Sequence, residues 1–351
     1  MASELPHPQG TAAGRDLYAW CEGLRALGHE LDAWLWRISP VSPRGPIPSW
    51  CSVETFDVGP MWRAHLHALR WPRGDLARAG WRAPEGAVVV ADHIWSFAGA
   101  ASADRSVATF HFRTIADALA ARRFEMSTVQ MARAERIAGR RAKLVLAYSD
   151  RVGRHLRRPA TFVPIAYPAP PCPLSPVETP VAAMMADWSW PPNVRALRNL
   201  LAAWPAVHEA LPHARLLLAG RCLDSVRVGQ IPGVEVLGEF SDSADILSQA
   251  AVVAFPCPPS SGPKVKVLEA LAHGLPVVTT RWGVEGIVLG EGGGVVTTDL
   301  SDFPSALVQV LRDPERRVAL GAAGRESVLA HHSGKAAALA RIDAFSAAFG
   351  S

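Results

Sequence analysis

The feature that most constrains this chain is a proline-rich stretch near its middle. Pro164 to Pro180 (PIAYPAPPCPLSPVETP) holds seven prolines in 17 residues. Proline removes backbone donors and disfavours helix, so the stretch reads as an ordered, irregular linker between two halves. Each half alternates short apolar runs with segments of helical period. In the first, Ala12 to Leu27 carries Leu17, Trp20, Cys21, Leu24 and Leu27 at helical spacing, stopped by Gly28. The runs Leu31–Trp36, Ala87–Ala91, Val107–Phe110 and Leu144–Tyr148 have the length of buried parallel strands, and Ser149 or Asp150 can cap the helix after the last. The second half repeats the rhythm. Val181–Met185, Arg215–Ala219, Val234–Leu237, Val252–Phe255 and Pro276–Thr279 read as strands, and Val194 to about Leu211 as a helix. Such alternation predicts parallel sheets covered on both faces, in two doubly wound α/β domains facing each other across a cleft. The boundaries read as 1–165 for the first domain, 166–180 for the linker and 181–334 for the second. A helix over 335–350 is expected to pack back on the first.

Composition narrows the function. With 49% hydrophobic and 19% charged residues among 351, the chain can build two cores and is not disordered. A net charge of +4 is too even for a dedicated nucleic-acid binder. The five cysteines are dispersed without a C-x-x-C pair, which fits reduced thiols. No apolar run reaches the roughly 18 residues that span a bilayer, and the first residues lack a secretory pattern. A soluble, cytoplasmic protein is expected. One imbalance stands out: 32 arginines against four lysines, two of which, Lys264 and Lys266, lie almost side by side.

Those two lysines fall in the most informative segment, Ser260 to Thr280 (SSGPKVKVLEALAHGLPVVTT). Ser260 or Ser261 can cap a helix and Pro263 suits its first turn, while Gly274 and Pro276 end it. Two cations at a helix amino terminus oppose the dipole, at a cost of a few tenths of a kcal/mol each when exposed. A phosphate bound to the free amides would reverse that sign. The competing reading is a solvated pair with Lys266 bridged to Glu269 at i,i+3. Spacing by itself does not choose between them.

The segment resembles the donor-binding motif of family-4 (group 1) retaining glycosyltransferases of GT-B fold. Their common form carries two glutamates separated by seven residues. The second stands here as Glu269, followed by Ala270, Gly274, Pro276, Val277 and Val278. The first would fall at Ser261 and is absent; Gly262-Pro263-Lys264-Val265-Lys266 is similar to a variant with Gly-x-Lys-x-Lys in its place. Trp190-Pro191-Pro192-Asn193, the runs Leu216–Gly220 and Val234–Gly238, and the tail from Asp313 through Gly321, Gly324 and Arg325 extend the likeness over nearly the whole chain. The resemblance implies that Lys266 and Lys264, with Gly262 and Gly10, hold the donor diphosphate. It places Glu269 on the ribose, and Ser261 and Pro263 near the transferred sugar.

On the acceptor side, Thr109-Phe110-His111 ends a strand and is similar to family segments that put a histidine by the sugar. Histidine can donate or accept a hydrogen bond near neutral pH; a satisfied structural histidine is the bland counterpart. Asp92-His93 ends an earlier strand and is the second catalytic candidate, at Asp92. Gly10 precedes the first helix, where the family has a loop with paired glycines; Gly14 can serve as the partner, and Met1 to Leu5 leaves little room for the strand expected before it. Metal looks unnecessary, for Asp242 and Asp245 do not form a D-x-D, and His65 and His67 read as surface residues. Trp62, Trp71 and Trp81 can stack on sugars but read more readily as core. Arg122 to Lys143, with seven basic and two acidic residues, reads as a solvated helix face, with an anionic membrane and a lipid acceptor as the lesser option.

These readings converge on a metal-independent retaining glycosyltransferase without a cofactor. Its partners would be a nucleoside-diphosphate sugar and a small-molecule, saccharide or lipid-linked acceptor, and no nucleic acid. Its place would be the cytoplasm, with peripheral contact at the inner membrane face left open. The rivals are a sugar-nucleotide epimerase or hydrolase of the same fold, and a non-catalytic nucleotide-binding partner protein.

Overall fold

A computed structural model describes residues 6–8, 10–37, 48–55, 83–92, 97–101, 103–120, 126–156 and 158–350. The expectations for Met1–Leu5, His65, His67, Trp62, Trp71, Trp81, His93, Arg122 and Arg123 lie outside them. The chain divides into two compact units. The first comprises Met1–Pro168, Ser261–Pro263 and Ser333–Ser351; the second comprises Ala169–Ser260 and Lys264–His332.

In the first unit, helix α1 (Ala12–Ala26) begins at Thr11, whose Oγ1 accepts from the Gly14 amide at 3.1 Å. Leu17, Trp20, Cys21 and Leu24 form its buried face, as their helical spacing predicts. Asp16 is buried on the same helix. Strands β1 (Ala33–Arg37) and β2 (Cys51–Thr55) pair in parallel. A four-stranded parallel sheet follows, in the order β3-β4-β5-β6, from β3 (Val88–Ala91), β4 (Arg105–Phe110), β5 (Leu144–Ala147) and β6 (Thr161–Phe162). Between β3 and β4 lies α2 (Phe97–Ala100). Helices α3 (Thr114–Ala120) and α4 (Met126–Arg141) connect β4 to β5, and α5 (Asp150–His155) connects β5 to β6. Ser149, not Asp150, caps α5 by accepting from the Val152 amide at 3.1 Å.

The second unit is one six-stranded parallel sheet in the order β12-β11-β10-β7-β8-β9. Its elements in chain order are β7 (Val181–Met185), α6 (Pro191–Ala210), β8 (Arg215–Ala219), β9 (Val234–Gly238), α7 (Ala244–Leu247), β10 (Val252–Phe255), α8 (Val265–Ala272), β11 (Val277–Thr279), β12 (Val295–Thr297), α9 (Phe303–Arg312) and α10 (Pro314–His331). The apolar runs singled out in the sequence become β7, β8 and β10 without a shift, since each is buried on both faces. Helix α6 starts before Val194 because prolines suit the first helical positions, where no amide bond is lost, and Pro191 and Pro192 occupy them. Leu197, Leu200, Trp204 and Val207 bury its inner face.

From β7 the chain builds outward through β8 and β9, then crosses to the other side of β7 for β10, β11 and β12. The strand order therefore reverses between β7 and β10. Beyond the carboxyl ends of such a strand pair a parallel sheet leaves a crevice, because the following helices go to opposite faces.

The last helix, α11 (Gly334–Phe349), belongs to the first unit and lies on α1. Two glycines make the approach close. A Cβ on Gly23 would come within 2.1 Å of the Gly334 carbonyl oxygen, and a Cβ on Gly334 within 2.1 Å of that of Ala19. Leu17, Trp20, Cys21, Ala337 and Ala338 share one core there. A side chain of Trp20's size, fully buried, contributes on the order of 2–3 kcal/mol by area.

Candidate functional site

In the second unit the reversal point is furnished by the loops that follow β7 and β10. Helix α8 spans Val265–Ala272 and Lys264 is its N-cap, which corrects the expected capping. Ser260 and Ser261 do not cap it, and Pro263 stands before the cap, not in the first turn. The physical reason is that Ser260 Oγ donates to Pro258 O at 3.1 Å while Ser261 is engaged in the first unit. No side chain caps α8, nor α6, whose N-cap is Trp190. Two helix amino termini thus leave amides unclaimed by side chains near the same strand ends.

Lys266 and Asn193 join the helices that follow these two loops. Lys266 Nζ donates to Asn193 Oδ1 at 2.5 Å, and Asn193 Nδ2 donates to Asp187 O at 2.8 Å. The ammonium also sits 4.5 Å from the centroid of the Phe255 ring. Among the described residues Lys266 makes no ion pair, so the Lys266–Glu269 bridge of the competing reading is absent. Glu269 is buried instead, accepting from Ser243 Oγ at 2.8 Å. Burial, reinforced by neighbouring Lys264, draws the Lys266 ammonium down to about 8. Cys257, buried between β10 and α8, keeps its proton because burial pushes its thiol up. The result is a cation held by a neutral amide oxygen and an aromatic face, beside two helix ends without side-chain caps, a combination suited to an anion.

Asn193 was visible in the sequence only as part of the Trp-Pro-Pro-Asn string, not as the partner of Lys266. A polar side chain in the first turn of the helix after the first strand of a doubly wound domain was the usable signal. Ser243 carried none.

In the first unit, Asp92 and His111 stand just past the ends of β3 and β4. His111 is half-buried, and its Nε2 lies 2.5 Å from the carbonyl oxygen of Asp92. A carbonyl only accepts, so Nε2 carries the proton and the lone pair of the neutral ring is at Nδ1. Asp92 is buried, and its Oδ1 has no hydrogen-bond partner among the described residues. An orphaned buried carboxylate oxygen costs stability unless a ligand hydroxyl meets it. Gly262 closes on the same spot: at φ +74° it takes a left-handed conformation, and a Cβ there would meet His111 O at 2.1 Å. Ser261 Oγ accepts from the Arg113 amide and donates to Asp117 Oδ2, each at 2.6 Å, and its amide donates to Asp117 Oδ1 at 2.8 Å. Gly10 lies at the approach to α1, donating to His7 O at 3.0 Å.

Each unit therefore groups its own candidates. Lys264, Lys266 and Glu269 lie on α8 or at its cap, and Asp92, His111, Ser261 and Gly262 cluster in the first unit, followed by Pro263. Along α4, Arg133, Arg136, Arg140 and Arg141 are exposed. Among the described residues no group of three or more His, Cys, Asp or Glu side chains could hold a metal ion. Nor is any helix among them long and apolar enough to cross a membrane.

Two parallel α/β units of this kind define a GT-B fold, and comparison with solved structures agrees. Sucrose-phosphate synthase from Thermosynechococcus elongatus superposes with a TM-score of 0.69 at 18% identity, covering 99% of this chain and 96% of that one. HepE of Anabaena, in complex with UDP-glucose, gives 0.68 at 16% identity over 99% and 98%. WaaG, a glycosyltransferase involved in lipopolysaccharide biosynthesis, gives 0.65 at 13% identity over 100% and 99%. Residues 179–313 match the family model of glycosyl transferases group 1. A GDP-mannose-dependent monoacylated alpha-(1-6)-phosphatidylinositol monomannoside mannosyltransferase of Corynebacterium glutamicum is 32% identical over 150 residues. That stretch spans 38% of this chain and 39% of the curated relative. The larger S. aureus TarM is covered over 55% of its length, at a TM-score of 0.59 and 11% identity.

Proposed function

We propose that the protein is a glycosyltransferase that moves a sugar from a nucleoside-diphosphate sugar to an acceptor hydroxyl. The observation that carries this reading is the Lys266–Asn193 pair beside two uncapped helix ends at the reversal point of a sheet matching group 1 glycosyltransferases. A diphosphate there would accept from the amides of α8 and from Lys266, with Lys264 adding charge. The same groups would receive the negative charge that develops as the diphosphate leaves, with no metal ion required. Glu269, buried one turn further along α8, would accept hydrogen bonds from the ribose hydroxyls.

In the first unit, Asp92 Oδ1 would accept from a hydroxyl of the sugar or acceptor, and His111 would polarise or relay a proton at its Nδ1. Retention of anomeric configuration is part of the proposal, by attack from the face that the diphosphate leaves. It rests on the likeness of the Gly262–Glu269 segment to retaining enzymes. The acceptor class we favour is a saccharide or lipid-linked hydroxyl, by analogy with the mannosyltransferase and WaaG matches.

The test is a panel of UDP- and GDP-sugars read first by thermal shift, since a ligand of the folded state raises the melting temperature. Sugars that bind are then incubated with and without candidate acceptors and with a chelator, and the product's anomeric coupling is read by NMR. Acceptor-dependent transfer with retained configuration and no loss on chelation is expected. Turnover that ignores the acceptor would favour a hydrolase or epimerase, and binding without turnover a nucleotide-binding partner protein.

A further inference from the structure

Beneath His111 the first unit holds a charged cluster that the proposed reaction does not use. Its members come from distant parts of the chain: Asp16 from α1, Tyr148 from just past β5, Arg341 from α11. All three are buried. Tyr148 donates its hydroxyl proton to Asp16 Oδ2 and accepts from Arg341 Nη2 at 3.0 Å. The other carboxylate oxygen, Asp16 Oδ1, accepts from the Ala166 amide at 2.6 Å and stands 4.0 Å from the Arg341 guanidinium. Arg341 Nη1 donates to the carbonyls of Pro164 at 3.2 Å and Ala337 at 2.9 Å. Its guanidinium also lies 4.9 Å from the Trp20 ring and 5.7 Å from that of Tyr148. Burying an ion pair is costly and rarely the best route to stability alone, so such a cluster invites a second role.

The cluster reaches His111 through one contact. The rings of His111 and Tyr148 pack edge to face, 4.6 Å between centroids at 74°. Tyr148 cannot rotate away without giving up both Asp16 and Arg341. On its far side the imidazole is tied to Asp92 O, so the ring is held between a carbonyl and a tyrosine that is itself fixed on two sides. The charged and titratable groups around Asp16 are Arg341, Tyr148, His111 and Asp92, with Cys21 on its own helix.

We propose that Asp16, Tyr148 and Arg341 are positioning residues that fix the ring orientation and tautomer of His111, making α11 a working part of the site. By holding the ring against the Asp92 carbonyl through Tyr148, α11 keeps the proton on Nε2 and the lone pair on Nδ1. Burial raises the Asp16 carboxyl to about 6, with the nearby Arg341 guanidinium opposing the rise. This inference rests on the glycosyl-transfer reading only for its effect on turnover.

The experiment is done on the full chain with ring-labelled histidine, assigning His111 by the signals lost in His111→Asn. Tyr148→Phe keeps the ring and removes the hydroxyl between Asp16 and Arg341; Arg341→Lys keeps the charge and removes the fork. Near-UV circular dichroism confirms that both fold. In the wild type the ring nitrogens should report one tautomer, protonated at Nε2. Both variants should shift His111 toward mixed tautomers and lower kcat about tenfold, with KM for the nucleotide sugar within about twofold, as expected when a group is slightly misplaced. Unchanged ring signals in the folded variants overturn the brace whatever the activity. Shifted signals with wild-type kcat overturn its bearing on turnover. A wild type that transfers no sugar from any donor sinks the glycosyl-transfer reading instead, and the ring signals still decide the brace.

Discussion

Lys266 Nζ and Asn193 Oδ1 lie 2.5 Å apart, joining the segments that leave the two strands where the second sheet changes direction. The acceptor in that contact is neutral, so the lysine is oriented without being neutralised. An ammonium held in this way keeps its charge available to an incoming anion, whereas a salt-bridged one would not.

Replacing the amide by a carboxylate tests that distinction. Asn193→Asp is nearly isosteric but places a negative charge against Lys266 and the helix ends. Nucleoside-diphosphate affinity should fall about tenfold, or about 1.4 kcal/mol. Titration calorimetry on the variant and wild type measures it, and an affinity as good as or better than wild type would contradict the assignment.

The protonation of Lys266 gives a pH signature. Its ammonium titrates near 8, below the usual lysine value, so the charge is present below that pH and lost above it. Affinity for a diphosphate should hold through neutrality and decline as pH rises through about 8. Binding restores the proton, so calorimetry at pH 8.5 in buffers of different ionisation enthalpy should register net proton uptake, with about one proton as the ceiling. Lys266→Arg should remove the decline.

Gly262 is held at φ +74° with its α-carbon against the His111 carbonyl. Gly262→Ala adds both a left-handed penalty and a clash with backbone, each of order 1–3 kcal/mol. The variant should melt several degrees lower and lose most of its turnover. Tm and kcat together check this; a variant that matches wild type in both would show that the backbone there yields freely.

Asp16 should mark the stability curve in the direction opposite to an ordinary ion-paired carboxylate. Its carboxyl is raised from 3.8 to about 6, chiefly by burial, so the native state holds a proton that the unfolded state releases. The stabilisation is full below about 4 and is lost as pH rises through about 6. Asp16→Asn, although less stable because Arg341 loses its counter-charge, should show a flatter dependence of Tm on pH between 4 and 6. Parallel curves would contradict this.

Much of the second unit was legible before any coordinates. Val181–Met185, Leu216–Ala219 and Val252–Phe255 are apolar throughout because parallel strands are covered on both faces, and an uninterrupted run with polar flanks has well-marked ends. Lys264 and Lys266 stood out through their rarity and their place before a helix. What stayed hidden was tertiary. Asn193 lies 73 residues from Lys266, and nothing local marks its side chain as the one that would accept the lysine's hydrogen bond. Asp16, Tyr148 and Arg341 sit on three separated segments, and only packing of α11 on α1 brings them together. β12 and β6 span three and two residues, too short for a period to register. The serines before α8 misled for a related reason: a hydroxyl ahead of a helix can cap it, but Ser261 Oγ accepts from the Arg113 amide instead.

The central claim is that the start of α8 binds the diphosphate of a nucleotide sugar, and one comparison tests it most directly. UDP and GDP are titrated calorimetrically into the wild type and Lys266→Ala at pH 7, with folding of both confirmed. The wild type should bind at least one of them, and the variant should lose ten- to a hundredfold in affinity, about 1.4 to 2.8 kcal/mol. Equal affinity in the two proteins, or no binding of either nucleotide by the wild type, would contradict it.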